Sequence, residues 1–516
     1  MRALKPRRVL VLDLVTHAPV KALFHRVMMA NMAGFMPQVA AVWTEELGHE
    51  VIYVPFVGQR DLLDDLQEHE FDVLVVSAFT QSALLATAIA TWARSRGAVT
   101  VLAGPHARCF PTDATRWFDW VLGFTDKETL ATAIESGPRR PVGEYLTAEA
   151  QPRELPSLRQ RWHFQERLFG RSRGITVVPM IASLGCPYTC PFCIDAVVPY
   201  QALPLEPLME DLRFLRERRP DAMVSFYDPN FGVRFDSTML ALEEVIDDGK
   251  PVRFIAESSL SILRRERLER MGRAGFVAAL PGIETWNDLG NKTGHARTGM
   301  DKVKEVAVHL NEVLEHVPYV QANFVLGLDI DEGDEPFELT KRFVDLAPGV
   351  FPGYSLLTAF GIGAAQNDMY RDQGRIVPVP FHFLNNNLAM NVRPLNYDWV
   401  SFYDRVIDLV SYTFAPRQIL RRARGTKFFT TKWMNALRGL SSEGMGRVAH
   451  HRSVRKLLIE DRQMRDFFEG DTVRVPDAMA ARVQRDLGPF WELLPIEALS
   501  PVDEVRPGTV AVRPTA

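Results

Sequence analysis

The chain has 516 residues, of which 47% are hydrophobic and 24% are charged, a composition typical of a soluble globular protein with roughly two or three domains. Its formal net charge of −4 does not favour nucleic acid as a partner. No segment approaches the ~18 uninterrupted apolar residues of a spanning helix, and no signal peptide is recognised, so we expect a cytoplasmic protein without a membrane span and with reduced thiols.

The first 135 residues alternate between strand patterns and helix patterns. The predicted strands are five apolar, β-rich runs, at 7–15, 50–56, 71–79, 98–104 and 119–124. This alternation predicts an α/β domain over residues 1–135 with a doubly wound, Rossmann-like parallel sheet. A ligand crevice is expected at the carboxyl ends of its strands.

Small and polar residues follow several of these predicted strands. They are Ser77, Thr80, Gly104, Pro105, His106 and Gly123. Such residues are common after strands, so the pattern alone does not identify a ligand. A lone histidine such as His106 is more often a surface group or a hydrogen-bonding group than a metal ligand. Cys109 has no neighbouring cysteine and is interpreted as a structural thiol.

Residues 136–172 contain several prolines and arginines, which predicts a linker. From residue 173 the alternation of strands and helices resumes. The predicted strands of this second region lie at 175–184, 222–228, 252–257, 276–284, 319–327 and 353–360.

Three of the four cysteines lie on one short loop after the first of these strands. Cys186, Cys190 and Cys193 have the spacing C-x3-C-x2-C. Thiolates ligate iron–sulfur clusters, and three ligands leave one iron of a cubane cluster open for chemistry. Zinc is an alternative, although a structural zinc site takes four ligands and no further Cys or His lies close in the sequence. A disulfide is a third interpretation, disfavoured by the expected reducing compartment.

This loop, with Phe192 directly before the third cysteine, resembles the signature of radical S-adenosylmethionine (SAM) enzymes. The resemblance implies that Cys186, Cys190 and Cys193 ligate a [4Fe–4S] cluster whose open iron chelates SAM, and that Phe192 packs near the adenine. In that family, reduction of the cluster cleaves SAM to a 5′-deoxyadenosyl radical. The resemblance also implies a partial (β/α)6 barrel over residues 173–380 and an external electron donor of the flavodoxin or ferredoxin type.

Polar residues that follow other predicted strands match segments of the same family. The resemblance implies SAM-binding roles for Asp228, Asn230, Glu257, Ser258, Glu284 and Asn323. Asp228 is interpreted as the acceptor for the SAM ammonium, which offers charge-assisted hydrogen bonds. Glu284 lies in a G-I-E-T segment that matches the family, and Lys292 matches the lysine that usually follows. Taken singly, each of these residues is equally well a solvated loop group.

The first domain resembles the cobalamin-binding domain that precedes many radical SAM barrels, in the order GHEV, SAFT, AGPHA and DWVLG. This resemblance implies cobalamin contacts from the residues after its strands, Ser77, Thr80, Gly104, Pro105, His106 and Gly123. Two departures are present. The signature that supplies a histidine to cobalt is absent, since DLVTH (13–17) has another spacing, and the usual acidic ending is replaced by GFTDKE (123–128). A sheet that has kept its fold and lost its cofactor is the alternative.

The C-terminal region, residues 381–516, is predicted to be mainly helical. Before it, FGIGAAQNDMYRDQGRI (360–376) replaces the P-G-T turn of the family, which leaves the substrate class open. The segment KFFTTKWMNALRGL mixes basic and aromatic residues, as in helices that bind a membrane surface or a lipid-like substrate. A helix that packs its aromatic residues on the barrel is the favoured interpretation.

Together the resemblances imply a cobalamin-dependent radical SAM enzyme that methylates an unactivated carbon of a small, natural-product-like molecule. Oxidative cyclisation or ring rearrangement without methyl transfer is the alternative, as is a radical SAM enzyme with a degenerate cobalamin domain. A non-catalytic protein that binds a cluster or cobalamin is the least favoured. The sequence does not identify a catalytic residue, the substrate or the oligomeric state.

Overall fold

The computed structural model describes residues 5–20, 22–29, 31–59, 61–169, 176–246, 252–289, 294, 297–385 and 389–504. Among these residues, no helix is both long and apolar enough to cross a membrane.

A parallel sheet forms the N-terminal part of the molecule. Within the described residues its six strands are β1 Arg8–Leu14, β2 Glu50–Phe56, β3 Val73–Ser77, β4 Val99–Ala103, β5 Trp120–Leu122 and β6 Glu144–Leu146. They pair in the order β2-β1-β3-β4-β5-β6, and every pair is parallel. The predicted doubly wound sheet is confirmed, and its strand order reverses between β1 and β3, where such sheets place their ligand crevice.

The helices of this region are α1 Leu23–Met29, α2 Phe35–Glu46, α3 Leu62–Gln67, α4 Ala83–Ser95, α5 Pro105–Cys109, α6 Pro111–Ala114 and α7 Lys127–Glu135. Of these, α2 and α4 pack on opposite faces of the sheet, whereas α1 buries no side chain. Alternate residues of β1 enter different cores, since Leu10 and Leu12 pack with α4 while Val9 and Val11 pack with α2. Burial on both faces is the reason why these strands read as continuous apolar runs.

The segment 136–172, predicted as a linker, contributes regular structure to this sheet. Its strand β6 pairs with β5 at the edge, and helix α8, Leu158–Glu166, packs on α2. A three-residue strand with only one buried side chain gives no recognisable period in a sequence. The boundary predicted between residues 172 and 173 lies outside the described residues.

A second group of strands follows. They are β7 Val177–Met180, β8 Ser183–Leu184, β9 Gln201–Ala202, β10 Met223–Phe226, β11 Arg253–Ser259, β12 Phe276–Glu284, β13 Tyr319–Leu326 and β14 Phe351–Leu356. Six of them form a parallel sheet, in the described residues, with the order β14-β13-β12-β11-β10-β7. Each of the six strands predicted from the sequence contributes one of them. β8 and β9 form a separate antiparallel pair.

Helices connect these strands and are α9 Leu205–Arg218, α10 Phe235–Val245, α11 Arg265–Ala274, α12 Gly299–His316 and α13 Glu335–Leu346. The rest of the chain is mainly helical, as predicted. Its helices are α14 Ala365–Asp372, α15 Trp399–Thr413, α16 Pro416–Arg424, α17 Phe429–Leu440, α18 Met445–Glu460, α19 Arg462–Glu469 and α20 Asp477–Leu487.

The C-terminal region returns to both sheets. A 3₁₀ turn at Phe381–Phe383 packs beside Thr80–Ser82 at the carboxyl edge of the first sheet, and α15 packs on α13 of the second region. The start of the C-terminal region therefore covers part of the carboxyl edge of the first sheet.

Candidate functional site

The three clustered cysteines lie on a loop that a short β-ladder closes. This cysteine loop, residues 185–200, connects β8 to β9, and the two strands pair antiparallel. Gly185 has a φ of 66°, and a Cβ at this position would lie 2.6 Å from the carbonyl oxygen of Val198. Glycine is required here because the chain folds back on itself directly before the first cysteine.

Backbone hydrogen bonds hold the cysteines in place within the loop. The Cys193 N–H donates to the carbonyl of Cys190 at 3.1 Å, and the Cys186 N–H donates to Val198 at 3.4 Å. All three thiols are half-buried, and Phe192 packs against the main core. All four cysteines of the chain lie in the described residues and none is in a disulfide. The structure therefore gives no support to the disfavoured disulfide interpretation.

No group of three His, Cys, Asp or Glu side chains in the described ranges surrounds a point as the ligands of one metal ion do. A cubane cluster makes a different demand, because each thiolate binds its own iron. Its ligands surround a group of several atoms rather than converge on one point. Three half-buried thiols on one closed loop fit this demand.

Asp228, directly after β10, fastens the base of the cysteine loop. Its buried carboxylate accepts a hydrogen bond from the Ala182 N–H at 3.0 Å and one from the Ser183 hydroxyl at 2.6 Å. Burial raises the pKa of Asp228 to about 6. Ser183 was not predicted as a partner, although a serine inside the apolar run IASL indicates a buried polar contact.

Two buried polar atoms beside Asp228 have no partner in the described parts of the chain. The Asn230 side-chain oxygen accepts from the Ser259 N–H at 2.8 Å, while the Asn230 Nδ2 and the Ser259 Oγ are unpaired. Ser258 donates to the Phe231 carbonyl at 2.9 Å, and Glu257 exposes its side chain. Unpaired buried groups are rare and each needs an explanation, for which a bound polar ligand suffices.

Glu284, at the end of β12, has an unusual backbone. Its φ of 66° makes it the one non-glycine residue with a positive φ among the described residues. The pairing of β12 with β13 also shifts register between Gly282 and Glu284. Such a conformation costs on the order of 1–3 kcal/mol and is concentrated at functional sites.

A buried lysine holds the segment after Glu284. The Lys302 ammonium donates to the carbonyls of Thr285 and Asn287, both at 2.8 Å, and Asp331 accepts from the Thr285 hydroxyl at 2.6 Å. Burial lowers the pKa of Lys302 against the opposing effect of the nearby carboxylates. Sequence reasoning missed Lys302 and Asp331, although a lysine directly before the core residue Val303 signals burial. Lys292 lies outside the described residues.

Asn323 lies on β13 with its side chain between neighbouring strands. Its carboxamide donates to the Leu280 carbonyl at 3.4 Å and accepts from Gln321 at 2.6 Å. On β14, a Cβ at Gly353 would lie 2.6 Å from the Asn323 oxygen, so glycine makes room for this amide. Because all these strands are parallel, Asp228, Glu284 and the cysteine loop follow carboxyl ends that lie on one edge of the sheet.

The residues predicted around cobalamin lie at the carboxyl edge of the first sheet. Ser77 is half-buried, Thr80 is buried, and Pro105 begins α5. Gly104 has a φ of 95°, and a Cβ there would lie 3.1 Å from the Ala78 carbonyl oxygen. At Gly123 a Cβ would lie 2.2 Å from the hydroxyl of Tyr145 on β6. Packing against β6 is therefore enough to explain why this residue is glycine.

His106 is buried, so of the alternatives to a metal ligand the surface group is excluded and the hydrogen-bonding group remains. Its ring lies 4.7 Å from that of Phe381, edge to face, and its Nδ1 has no partner within the described chain. Burial lowers the pKa of His106 to about 3. The Nδ1 of His17, on the loop after β1, is likewise buried and has no partner within the described chain. These atoms are donors or acceptors that a polar ligand in the crevice can satisfy.

The carboxyl edge of the first sheet touches the cysteine loop. Arg108 on α5 forms an ion pair with Asp195 at 3.5 Å. Cys109 accepts at its carbonyl from the Ile362 N–H at 2.9 Å, and the Gln366 N–H donates to Pro191 at 3.1 Å. The segment 360–376 thus lies between α5 and the cysteine loop. Burial raises the pKa of the Cys109 thiol to about 12, as fits an unreactive structural cysteine.

Comparison with known proteins gives this arrangement a family context. Residues 180–343, which include the cysteine loop and strands β10 to β13, match the model of the radical SAM superfamily. The chain contains a radical SAM domain. Domains of this superfamily use SAM and a [4Fe–4S] cluster.

A curated relative is the bacteriochlorophyllide d C-12(1)-methyltransferase of Chlorobaculum tepidum, 25% identical over 299 residues. The match covers 56% of this chain and 64% of that protein, so it leaves about a third of the relative's length unmatched.

Two solved structures share the fold. The radical SAM methyltransferase TsrM of Kitasatospora setae, with cobalamin and a [4Fe–4S] cluster bound, is 15% identical with a TM-score of 0.52, over 76% of this chain and 79% of that one. The cobalamin-dependent SAM radical enzyme OxsB, with aqua-cobalamin bound, is 12% identical with a TM-score of 0.58, over 96% of this chain and 80% of that one.

We expect the substitution Lys302→Met to destabilise the protein. It leaves the carbonyls of Thr285 and Asn287 buried without a donor, which costs about 2 kcal/mol or more in free energy of unfolding. Lys304→Met, an exposed position on the same helix, is the matched control and changes stability by less than about 0.5 kcal/mol. Denaturant unfolding of both variants measures the difference. Equal stability of the two would contradict the anchoring role of Lys302.

We expect His106 to make the protein sensitive to acid. The pKa of His106 in the folded protein, about 3, lies below the ordinary value of 6.5. Between these two pH values the unfolded chain binds a proton at His106 that the folded protein does not, so the free energy of unfolding falls as the pH decreases. The loss is about 1.4 kcal/mol for each pH unit. His106→Phe, which matches the surrounding Phe110 and Phe381, flattens this dependence in unfolding experiments between pH 7 and pH 4. An unchanged slope would show that His106 is not buried as a neutral ring.

Proposed function

We propose that this protein is a cobalamin-dependent radical SAM enzyme that methylates an unactivated carbon of a small molecule. The observation that carries the proposal is the direct contact between two candidate sites. The cysteine loop of a radical SAM domain touches α5, at the carboxyl edge of a doubly wound sheet, through Arg108 and Asp195. A methyl carrier held at that edge is next to the place where a radical SAM domain holds its cluster.

We assign Cys186, Cys190 and Cys193 as the ligands of the [4Fe–4S] cluster. Their support is the closed loop, the half-burial of each thiol and the match of this segment to the superfamily. Cys109 is excluded from this set because it is fully buried against Gly363 of the segment 360–376.

We assign the SAM site to residues at the neighbouring strand ends, namely Phe192, Asp228, Asn230, Glu257, Ser258, Glu284 and Asn323. The unpaired Asn230 Nδ2 and the positive φ of Glu284 support this assignment. Ser259 joins the set because its hydroxyl is buried, unpaired among the described residues and bonded through its backbone to Asn230.

We assign cobalamin to the crevice of the first sheet, lined by Ser77, Thr80, Gly104, Pro105 and His106, with Gly123 at the next strand end. The unpaired nitrogens of His17 and His106 and the unpaired Ser82 hydroxyl fit a ligand with a polar rim. The TsrM and OxsB structures, which share this fold, contain cobalamin.

When bound, the cluster supplies an electron for cleavage of SAM, and cobalamin supplies the methyl group. The chain itself positions these groups and excludes water. Asp228 keeps the cysteine loop against β10, Lys302 keeps Glu284 in its strained conformation, and the segment 360–376 seals the junction with α5. An external donor of the flavodoxin or ferredoxin type would deliver the electron.

The proposal predicts two products from SAM under anaerobic, strongly reducing conditions with hydroxocobalamin. Cleavage of SAM gives 5′-deoxyadenosine, and use of a second SAM as methyl donor gives S-adenosylhomocysteine. Both are measured by chromatography and mass spectrometry. In Cys186→Ala the 5′-deoxyadenosine falls to background, because a cluster ligand is lost. The matched control Cys109→Ala retains it, because that buried thiol takes no part.

Two outcomes contradict parts of this account. If 5′-deoxyadenosine forms without S-adenosylhomocysteine, methyl transfer is wrong and a radical reaction such as oxidative cyclisation takes its place. If neither product forms from a protein with a complete cluster, the proposed enzymatic activity is wrong.

A further inference from the structure

Helix α17 turns its apolar face outward. Phe429, Trp433, Leu437 and Leu440 are 72%, 58%, 55% and 61% exposed. Their spacing of four, four and three residues places them on one side of the helix. We call these four residues the apolar stripe. The expectation that this helix packs its aromatic residues on the barrel is therefore wrong.

The opposite face of α17 anchors the helix, and it consists of small and polar residues. Thr431, Asn435 and Gly439 are the buried residues of the helix, and Gly439 packs closely on Ile419 of α16. Beside them, the Arg438 guanidinium donates to the Tyr319 hydroxyl and to the Gln321 side chain of β13. This is the reverse of the usual helix of a globular protein, which buries its apolar face.

The surroundings of the stripe are basic. Residues 416–440 contain no acidic residue, although the chain as a whole has a net charge of −4. Their cations are Arg417, Arg421, Arg422, Arg424, Lys427, Lys432 and Arg438. Arg422 is buried, and Arg421, Lys427 and Arg438 form ion pairs with acidic residues elsewhere. Arg417 and Arg424 are exposed and Lys432 is half-buried.

We propose that α17 binds the surface of an anionic lipid bilayer, with the apolar stripe in the boundary between headgroups and acyl chains. Three properties point to this partner. Trp and Phe are the side chains that favour this boundary, lysines and arginines are attracted to anionic headgroups, and the helix is fixed to the protein by its other face. A soluble protein rarely leaves four large apolar side chains in one exposed row. The inference is independent of the proposed enzymatic activity.

The test is flotation of the full-length protein with vesicles of phosphatidylcholine, with and without phosphatidylglycerol. We expect binding to the vesicles that contain phosphatidylglycerol, and weaker binding at about 0.5 M salt, where charges are screened. A stripe variant with Phe429→Ser, Trp433→Ser and Leu437→Ser binds at least about tenfold more weakly. A charge variant with Arg417→Glu, Arg424→Glu and Lys432→Glu loses the preference for phosphatidylglycerol.

The matched control replaces three similarly exposed apolar residues outside α17, with Leu240→Ser, Val308→Ser and Ile496→Ser. It keeps the vesicle binding of the natural protein. Quenching of tryptophan fluorescence by brominated lipid gives a second readout that does not depend on affinity. It is strong in the natural protein and is reduced in Trp433→Phe, which keeps an aromatic ring on the stripe.

Three results would overturn the proposal. They are absence of binding to both kinds of vesicle, equal loss of binding in the control and stripe variants, and quenching that is unchanged by Trp433→Phe. Sedimentation of the protein without lipid tests the alternative that the stripe binds a second copy of the chain. If the natural protein binds no vesicles but forms a dimer, and the stripe variant does not, the stripe is a dimer interface and the proposal is wrong. An unchanged midpoint of urea unfolding in the stripe variant shows that it is folded, and this control does not depend on the proposed activity.

Discussion

The carboxylate of Asp228 is the contact on which the candidate site depends. It lies buried at the end of β10 and accepts hydrogen bonds from Ala182 and Ser183, on the chain that leads into the cysteine loop. These bonds add to the pairing of β7 with β10 and to the β8–β9 ladder in holding the loop at this edge of the second sheet. Burial of a charged carboxylate costs free energy, and the raised pKa of Asp228, about 6, reflects that cost. The hydrogen bonds to the base of the cysteine loop offset part of it, so we infer that the fold maintains this attachment.

Parallel topology then brings the other groups to this point. Asn230, Ser259 and Glu284 lie far apart in the sequence, yet each follows or ends a strand of the same sheet. The first sheet adds a second carboxyl edge, and α5 joins the two through the ion pair of Arg108 with Asp195. The C-terminal region covers the junction from outside, where Phe381 packs on His106.

Most of the framework could be predicted from the sequence, because apolar runs mark strands that are buried on both faces. The parallel strands around the candidate site were predicted, whereas β9, which closes the cysteine loop, was not. The cysteine spacing identified the domain that the family comparison finds at residues 180–343. The edge strand β6 was missed, because three residues with one buried side chain give no period.

Contacts between distant segments could not be predicted from local patterns. The anchoring of Thr285 by Lys302 and the burial of His106 under Phe381 each join segments whose proximity only the folded chain reveals. The orientation of α17 is a clearer case. Its sequence has an amphipathic pattern, but the pattern does not say which face meets the protein, and here small residues such as Gly439 make that contact.

The most direct test of the central claim is to count metals after anaerobic purification with hydroxocobalamin supplied. We expect about four irons and about four sulfides per chain, as a cubane cluster requires, together with one cobalt. Loss of the irons in a Cys186, Cys190 and Cys193 triple alanine variant, with the cobalt retained, would locate the two cofactors on separate sheets. Irons without cobalt would contradict the role of the first sheet, and a chain that binds neither would contradict the account as a whole.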